Sequence, residues 1–256
     1  MSTRVDSASL PRPGELVSPR VVQRRSDDRF YTAMGIVAFL VAMIGFSNSL
    51  AGAVTGSKTF TRLVHFHGAL FGSWLVFFIL QTRLVASGRI AIHRRLGVLG
   101  AVLALSMLVV GFRTAIVAAR HGYDLDRRND PLGFMIFPLG DLLSFALLVG
   151  AALWFRKRPM AHKRLMLMAT IGAMLNAPLA HLIATTPALS AITAPIILVP
   201  MILLLFASAV YDKLTLGKIH PVSLWVALAL FVWGNLRAVA IRPTAAWHAF
   251  AGWLIG

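Results

Sequence analysis

LGVLGAVLALSMLVVGFRTAIVAA, residues 96–119, carries one charged side chain, Arg113, in 24 positions. At about 1.5 Å per helical residue the run is about 36 Å long, enough to cross a hydrocarbon core of about 30 Å. Apolar residues stand on every face of it, as they do on a helix surrounded by lipid or buried in a core. Similar runs recur at roughly 31–54, 64–87, 133–155, 164–186, 189–211 and 221–241. The reading is an all-α transmembrane helical bundle of about seven spans. Residues 1–28 are polar and rich in Pro, Arg and Ser. They read as a disordered cytoplasmic tail with no cleavable signal. Residues 29–256 read as a single transmembrane domain. It ends in a short interfacial helix, TAAWHAFAGWLIG, marked by Trp247 and Trp253.

Composition agrees with a lipid solvent. Hydrophobic residues make up 58% and charged residues 13%, against about 45–50% and about 25% in soluble domains. The formal net charge of +16 sits in short clusters between apolar runs, not on a basic domain. Anionic lipid headgroups on the cytoplasmic side are therefore the expected partner, and nucleic acid is not. The absence of cysteine excludes disulfides, thiol catalysis, cysteine-held iron–sulfur clusters and c-type haem attachment. No Walker loop, HExxH or GxSxG is present, and no Lys lies inside a span to hold retinal.

Lys and Arg orient the chain with its N-terminus inside. The segments on that side hold Arg4, Arg12, Arg20, Arg24, Arg25 and Arg29, then Arg83, Arg89, Arg94 and Arg95, then Arg156, Lys157, Arg158, Lys163 and Arg164; the fifth loop, on the other side, has none. RIAIHRRLGVLGA at 89–101 is echoed by RPMAHKRLMLMAT at 158–170, at a constant offset of 69. Two readings stand: duplicated helical hairpins, or two similar positively charged loops.

The histidines fall in two layers. His93, His162 and His220 lie at the inner ends of spans three, five and seven; His65, His67 and His181 lie at the outer ends of spans two and five. Two imidazoles at one depth are what a b-type haem iron requires. His93 shares a helical face with Gly97 and Gly100, His162 with Met166 and Ala169, and Gly68 and Gly72 follow His67. Arg94, Arg95, Lys163 and Arg164 stand where propionates would want cations. The alternative is that these histidines and cations anchor span ends, and that Gly68 and Gly72 let helices pack closely. No metal beyond haem iron is expected.

A second constellation lies deeper. Asp141 is about 12 Å inside span four, and Arg113 sits at a similar depth in span three. A lone charge there is costly, so the two are expected to pair, with Arg237, Asn176 and Asn235 in the same patch.

The runs RFYTAMG (29–35), HFHGALFGSW (65–74), GRIAIHRRLG (88–97), HKRLMLMAT (162–170) and WHAFAGWL (247–254) resemble a group of uncharacterised bacterial multi-pass inner-membrane proteins. That resemblance implies a location and no activity. More distantly, the placement of His at span ends resembles the ascorbate-reducible di-haem cytochrome b family. This second resemblance implies an inner haem on His93 and His162 and an outer one on His67 and His181. The seventh span departs from that family's six.

The functions expected are transmembrane electron transfer by a b-type haem with a quinol or respiratory partner, or binding or transport of a small anionic or lipid-like solute at Arg113, Asp141, His181 and Arg237. The third is a non-catalytic assembly component. Substrate, redox partner and oligomeric state are not legible.

Overall fold

The computed structural model describes residues 19–121, 130–186 and 193–256. Among these the chain is all-α. In order it forms α1 (Pro19–Gly45), α2 (Ser47–Val54), α3 (Arg62–Ala86), α4 (Ile90–His121), α5 (Pro131–Phe134), α6 (Ile136–Trp154), α7 (Pro159–Gly172), α8 (Asn176–Thr185), α9 (Thr193–Leu216) and α10 (Pro221–Leu236). A π-turn (Arg237–Ile241) and α11 (Ala245–Ile255) complete it. Seven segments are long and apolar enough to cross a membrane: Asp27–Gly45, Arg62–Ala86, Ile90–His121, Pro131–Trp154, Pro159–Thr185, Val199–Leu216 and Pro221–Ile241. The end of the bundle at which the first of these begins is here the proximal face, and the other the distal face.

Three boundaries differ from the sequence reading. α1 begins at Pro19, inside the stretch expected to be a disordered tail, because extending a helix already nucleated by a span is easy. Residues 1–18 of that tail lie outside the described residues. The first span ends at Gly45, not near residue 54: the chain bends at Phe46, where the Ser47 hydroxyl donates to the Ile44 carbonyl at 2.8 Å, and α2 follows as a separate helix. The sixth span reaches Leu216, which carries Asp212 inside it. At Gly88 and Gly217, φ values of +74° and +69° end α3 and α9 in the left-handed conformation that glycine adopts without strain.

α7 is the central helix. Arg164, Leu165 and every residue from Leu167 to Gly172 are buried, which explains why its apolar pattern has no polar stripe. Trp74 packs against it and donates from Nε1 to the Thr170 hydroxyl at 3.2 Å. The large apolar side chains left on the outside, such as Leu105, Leu147 and Leu203, form the surface that a bilayer would solvate.

Close approaches fall where glycine stands against another element. A Cβ on Gly45 would collide with the Pro178 backbone, and one on Gly100 would lie 2.6 Å from the Phe77 ring. The expected contact glycines Gly68 and Gly72 are not among them: a Cβ on either meets nothing within 4 Å. The internal echo has a counterpart in the element boundaries. The second and fourth spans begin at Arg62 and Pro131, and the third and fifth at Ile90 and Pro159, each pair at the same offset of 69.

Candidate functional site

The fifth span is broken near its middle. α7 stops at Gly172 and α8 starts at Asn176. Pro178 has no N–H to donate to the carbonyl four residues before it, so the helical ladder fails there. The Asn176 side chain repairs part of the break, donating from Nδ2 to the Gly172 carbonyl at 3.3 Å. The same Nδ2 donates to Asp141 Oδ1 at 3.0 Å. By helical rise Asp141 and Asn176 each lie about 15 Å from the distal ends of their spans, near mid-bilayer depth.

The partner of Asp141 is Arg237, with Nη1 to Oδ1 at 2.8 Å. Arg113 does not take that role. It lies on the exposed side of α4, from where a long side chain can carry its charge toward the headgroups. Similar depth does not make Arg113 the partner; the direction each helix faces decides it. Asn235 is likewise exposed and donates to the Phe231 carbonyl of its own helix. Arg237 opens the π-turn, closed by the Arg242 N–H to Arg237 carbonyl bond of 2.9 Å. Its Nη1 also donates to the Phe137 carbonyl at 2.9 Å. The guanidinium carbon lies 5.4 Å from the Trp233 ring centre and 5.9 Å from that of Phe137. The side chain is only 5% exposed, and its Nε has no partner among the described residues. Both the Arg237 and the Asn176 contacts of Asp141 fall on Oδ1. A buried ion pair with its carboxylate at mid-span, a broken span, a π-turn and a spare donor therefore meet at one place.

Beside it runs a groove of about 640 Å³, lined by Leu108, Val109, Phe112, Ile136, Leu139, Gly140, Leu142, Leu143, Ala146, Trp233, Trp247, Phe250 and Leu254. Gly140 lines this groove, and a Cβ there would collide with Cδ and Nη1 of Arg237. The distal helix α11 contributes Trp247, Phe250 and Leu254. It is tied across the bundle by Trp247 Nε1 to the Leu132 carbonyl at 2.9 Å and by Arg120 Nε to the Ile255 carbonyl at 2.7 Å.

A third tie is ionic. Asp130 accepts from His248 Nε2 at 2.9 Å, from the Gly133 N–H at 2.8 Å and from Arg242 Nε at 3.3 Å. His248 Nδ1 meets the Thr244 carbonyl at 2.9 Å, so both ring nitrogens face acceptors and the doubly protonated ring is favoured. The Thr244 carbonyl and then Asp130 raise the His248 pKa above its ordinary value. Desolvation opposes ionisation of Asp130, but the bonds from His248, Gly133 and Arg242 outweigh it and hold the carboxyl below the usual range. The Asp130 contribution is thus present above the ordinary carboxylate pKa of about 3.9 and fades as pH falls through its lowered value. That of His248 is complete below the ordinary value of about 6.5 and is lost as pH rises through its raised one. A spin label on Gly252→Cys, in a chain otherwise free of cysteine, is expected to gain mobility between pH 6 and pH 9. His248→Gln should abolish that pH dependence; an unchanged transition would show that the ionic tie does not hold α11.

The proximal face carries a larger network that sequence reasoning missed. Arg164 and Asp212 are both fully buried and form a bidentate pair, Nε to Oδ2 at 3.0 Å and Nη2 to Oδ1. Arg164 also donates to Ser223 and to the Met160 carbonyl. It is therefore committed, and is not the free cation expected for a propionate. Arg94 and Arg95, also so assigned, are exposed. Lys163 pairs with Asp27 at 2.5 Å, and Tyr211 donates to Asp27 at 3.0 Å. His220 caps α10, its Nδ1 accepting from the Val222 N–H at 3.2 Å. Burial and then the Arg164 charge lower its pKa, consistent with an unprotonated Nδ1. The signal in the sequence was Arg164 within an apolar helix, which demands a carboxylate at the same depth.

Of the expected histidine pairs, one is brought together. The His93 and His162 rings lie 6.4 Å apart, centre to centre, at 80°. His162 Nδ1 donates to the Ala152 carbonyl at 2.8 Å, which leaves Nε2 as its free lone pair. His93 Nδ1 and Gln81 Oε1 are buried without partners among the described residues. Two imidazoles on opposite sides of a shared metal, each about 2 Å from it, would have a comparable ring separation. The flanking slot fits less well, because the Phe77 ring fills the space over Gly100. The outer pair is not assembled. His67 stacks on Phe71 at 4.1 Å, while His181 binds Ser49 at 2.7 Å and lies 5.0 Å from the Phe46 ring.

Comparison with protein-family models, with curated proteins and with solved structures finds no match to this chain.

Proposed function

We propose that this chain is a multi-pass protein of the bacterial inner membrane, proximal face in the cytoplasm, that binds and carries a small anionic or lipid-like solute. The observation that carries this reading is the Asp141–Arg237 pair, held at a mid-span break by Asn176 with Arg237 Nε unpartnered. Ionisable groups at that depth are costly, and discontinuous helices at the midplane are where transporters place their substrate sites. The bias of Lys and Arg to the proximal side supports the orientation. Reconstituted into proteoliposomes, the protein is expected to take up a member of a panel of short carboxylates, phosphate esters and amphiphiles. Arg237→Lys and Asp141→Asn should each lower uptake at least tenfold, because neither retains the fork-to-carboxylate geometry with its charge. Arg113→Gln should leave it within twofold. No uptake or binding across the panel, or equal effects of Arg113 and Arg237 substitutions, would overturn the reading.

A second reading rests on the facing His93 and His162 rings. A b-type haem held by them would supply one-electron transfer with a quinol or respiratory partner. His162 is positioned for this by the Ala152 carbonyl and His93 by its place one turn inside α4. Protein purified from haem-replete cells is then expected to show a Soret band that His162→Ala removes. A colourless preparation would end this reading and leave the first untouched.

A further inference from the structure

Four features of the groove beside Arg237 bear on what it holds. First, it runs the depth of one leaflet. Trp247 and Phe250 line it from α11, past the distal end of the last span, while Leu108 lines it at 13 residues, or about 20 Å, inside α4. Half of a hydrocarbon core is about 15 Å. Second, its volume of about 640 Å³ is enough for one alkyl chain. At roughly 30 Å³ per non-hydrogen atom, the share of a water in the liquid, it takes about twenty such atoms. Third, its lining is apolar and aromatic, with no charged side chain among the residues that form it.

The fourth feature is polar. Gly140 lines the groove, and the Arg237 side chain occupies the space a Cβ there would need. Trp233 also lines the groove and lies against the guanidinium. Arg237 is 4% exposed and its Nε is buried without a partner among the described residues. A cationic donor with one hydrogen bond unmade therefore stands behind the glycine floor of an apolar groove. A bulky zwitterionic headgroup would not be drawn to that depth. A small planar anion would, because a carboxylate matches a guanidinium edge.

Resting on the reading of Arg237 and Asp141 as a solute site, we infer that the solute is a long-chain carboxylate, its single tail in the groove under α11 and its head on Arg237. Val109, Phe112 and Leu143 of the groove lining are exposed on the apolar surface of spans three and four, so the ligand would arrive from the membrane and not from water. Its chain needs no aqueous path, and the broken fifth span needs to admit only the head.

The test uses hexadecanoic acid bearing a tail diazirine, added to the full chain in nanodiscs. Photolabel is expected in residues 132–146 and 247–254. Unlabelled hexadecanoic acid should compete at least tenfold better than hexadecanol, and Arg237→Gln should remove that preference. Leu143→Trp, which adds bulk at a groove residue already 51% exposed, should lower labelling several-fold without loss of fold. Label spread evenly over all lipid-facing spans would overturn the inference. Equal competition by acid and alcohol would overturn its head assignment. If water-soluble anions are taken up in an Arg237-dependent way while the fatty acid is not, this inference fails and the solute site stands. If the groove is labelled with acid preference but Asp141→Asn changes nothing, the fatty-acid ligand stands and the Asp141 reading fails.

Discussion

Arg164→Ala is expected to leave almost no monodisperse protein after detergent extraction. Arg164 and Asp212 are both fully buried, and removing the guanidinium strips Asp212 of its bidentate partner at a place water does not reach. Breaking a buried pair by deleting one side costs about 3–5 kcal/mol, and the complete burial here places the cost at the upper end. A whole domain is stable by only about 5–15 kcal/mol, so the loss consumes much of the margin. The pair also ties three spans at one point. Asp212 comes from the sixth, Arg164 from the fifth, and Ser223, which donates to Asp212, from the seventh. Arg164→Lys should rescue only partly, since an ammonium cannot span both carboxylate oxygens and Ser223 as the fork does. Arg164→Met combined with Asp212→Leu should recover more protein than either single change. Yield and thermal aggregation measured across the set would check this. Normal yield for Arg164→Ala would mean that the network does not hold the bundle.

The difference between what was legible and what was not follows from which physical property each residue reports. Seven apolar runs were readable because lipid forces both length and composition on a span. The echo at offset 69 was also readable, and the span boundaries repeat it. By depth, Arg237 reads only as a neighbour in the patch around Asp141, and Arg113 reads as the partner of Asp141. Counting residues from a span end gives depth, but the side of the helix that meets a neighbour depends on packing between helices far apart in the chain. Asp212 was missed for a different reason. The apolar run at 189–211 stops one residue before Asp212, so a buried carboxylate reads as a loop residue. A boundary uncertain by a few residues is harmless for counting spans and decisive for a charge at the edge of one. The break at Ala173–Leu175 was foreshadowed by Pro178. Its consequence was not legible, because it depends on Asn176 meeting both Gly172 and Asp141.

Asp141 allows a structural ion pair to be separated from a functional one. Asp141→Ala is expected to cost about 3 kcal/mol, the low end of the range for a broken buried pair, because its side chain is 14% exposed and Arg237 keeps the Phe137 carbonyl. Asp141→Asn should cost less, since an amide still accepts from Asn176. The double variant Asp141→Leu with Arg237→Met removes both charges and should restore stability toward that of the parent, as apolar replacements of buried pairs do. A pair that only fixes helix register would then return with full solute uptake in the double variant. A pair that recognises the solute would not, because Arg237 Nε and the carboxylate are both gone. Thermal stability and uptake measured on the same four proteins therefore move together under one reading and apart under the other. Uptake at the parental level in the stable double variant would remove Asp141 and Arg237 from the site.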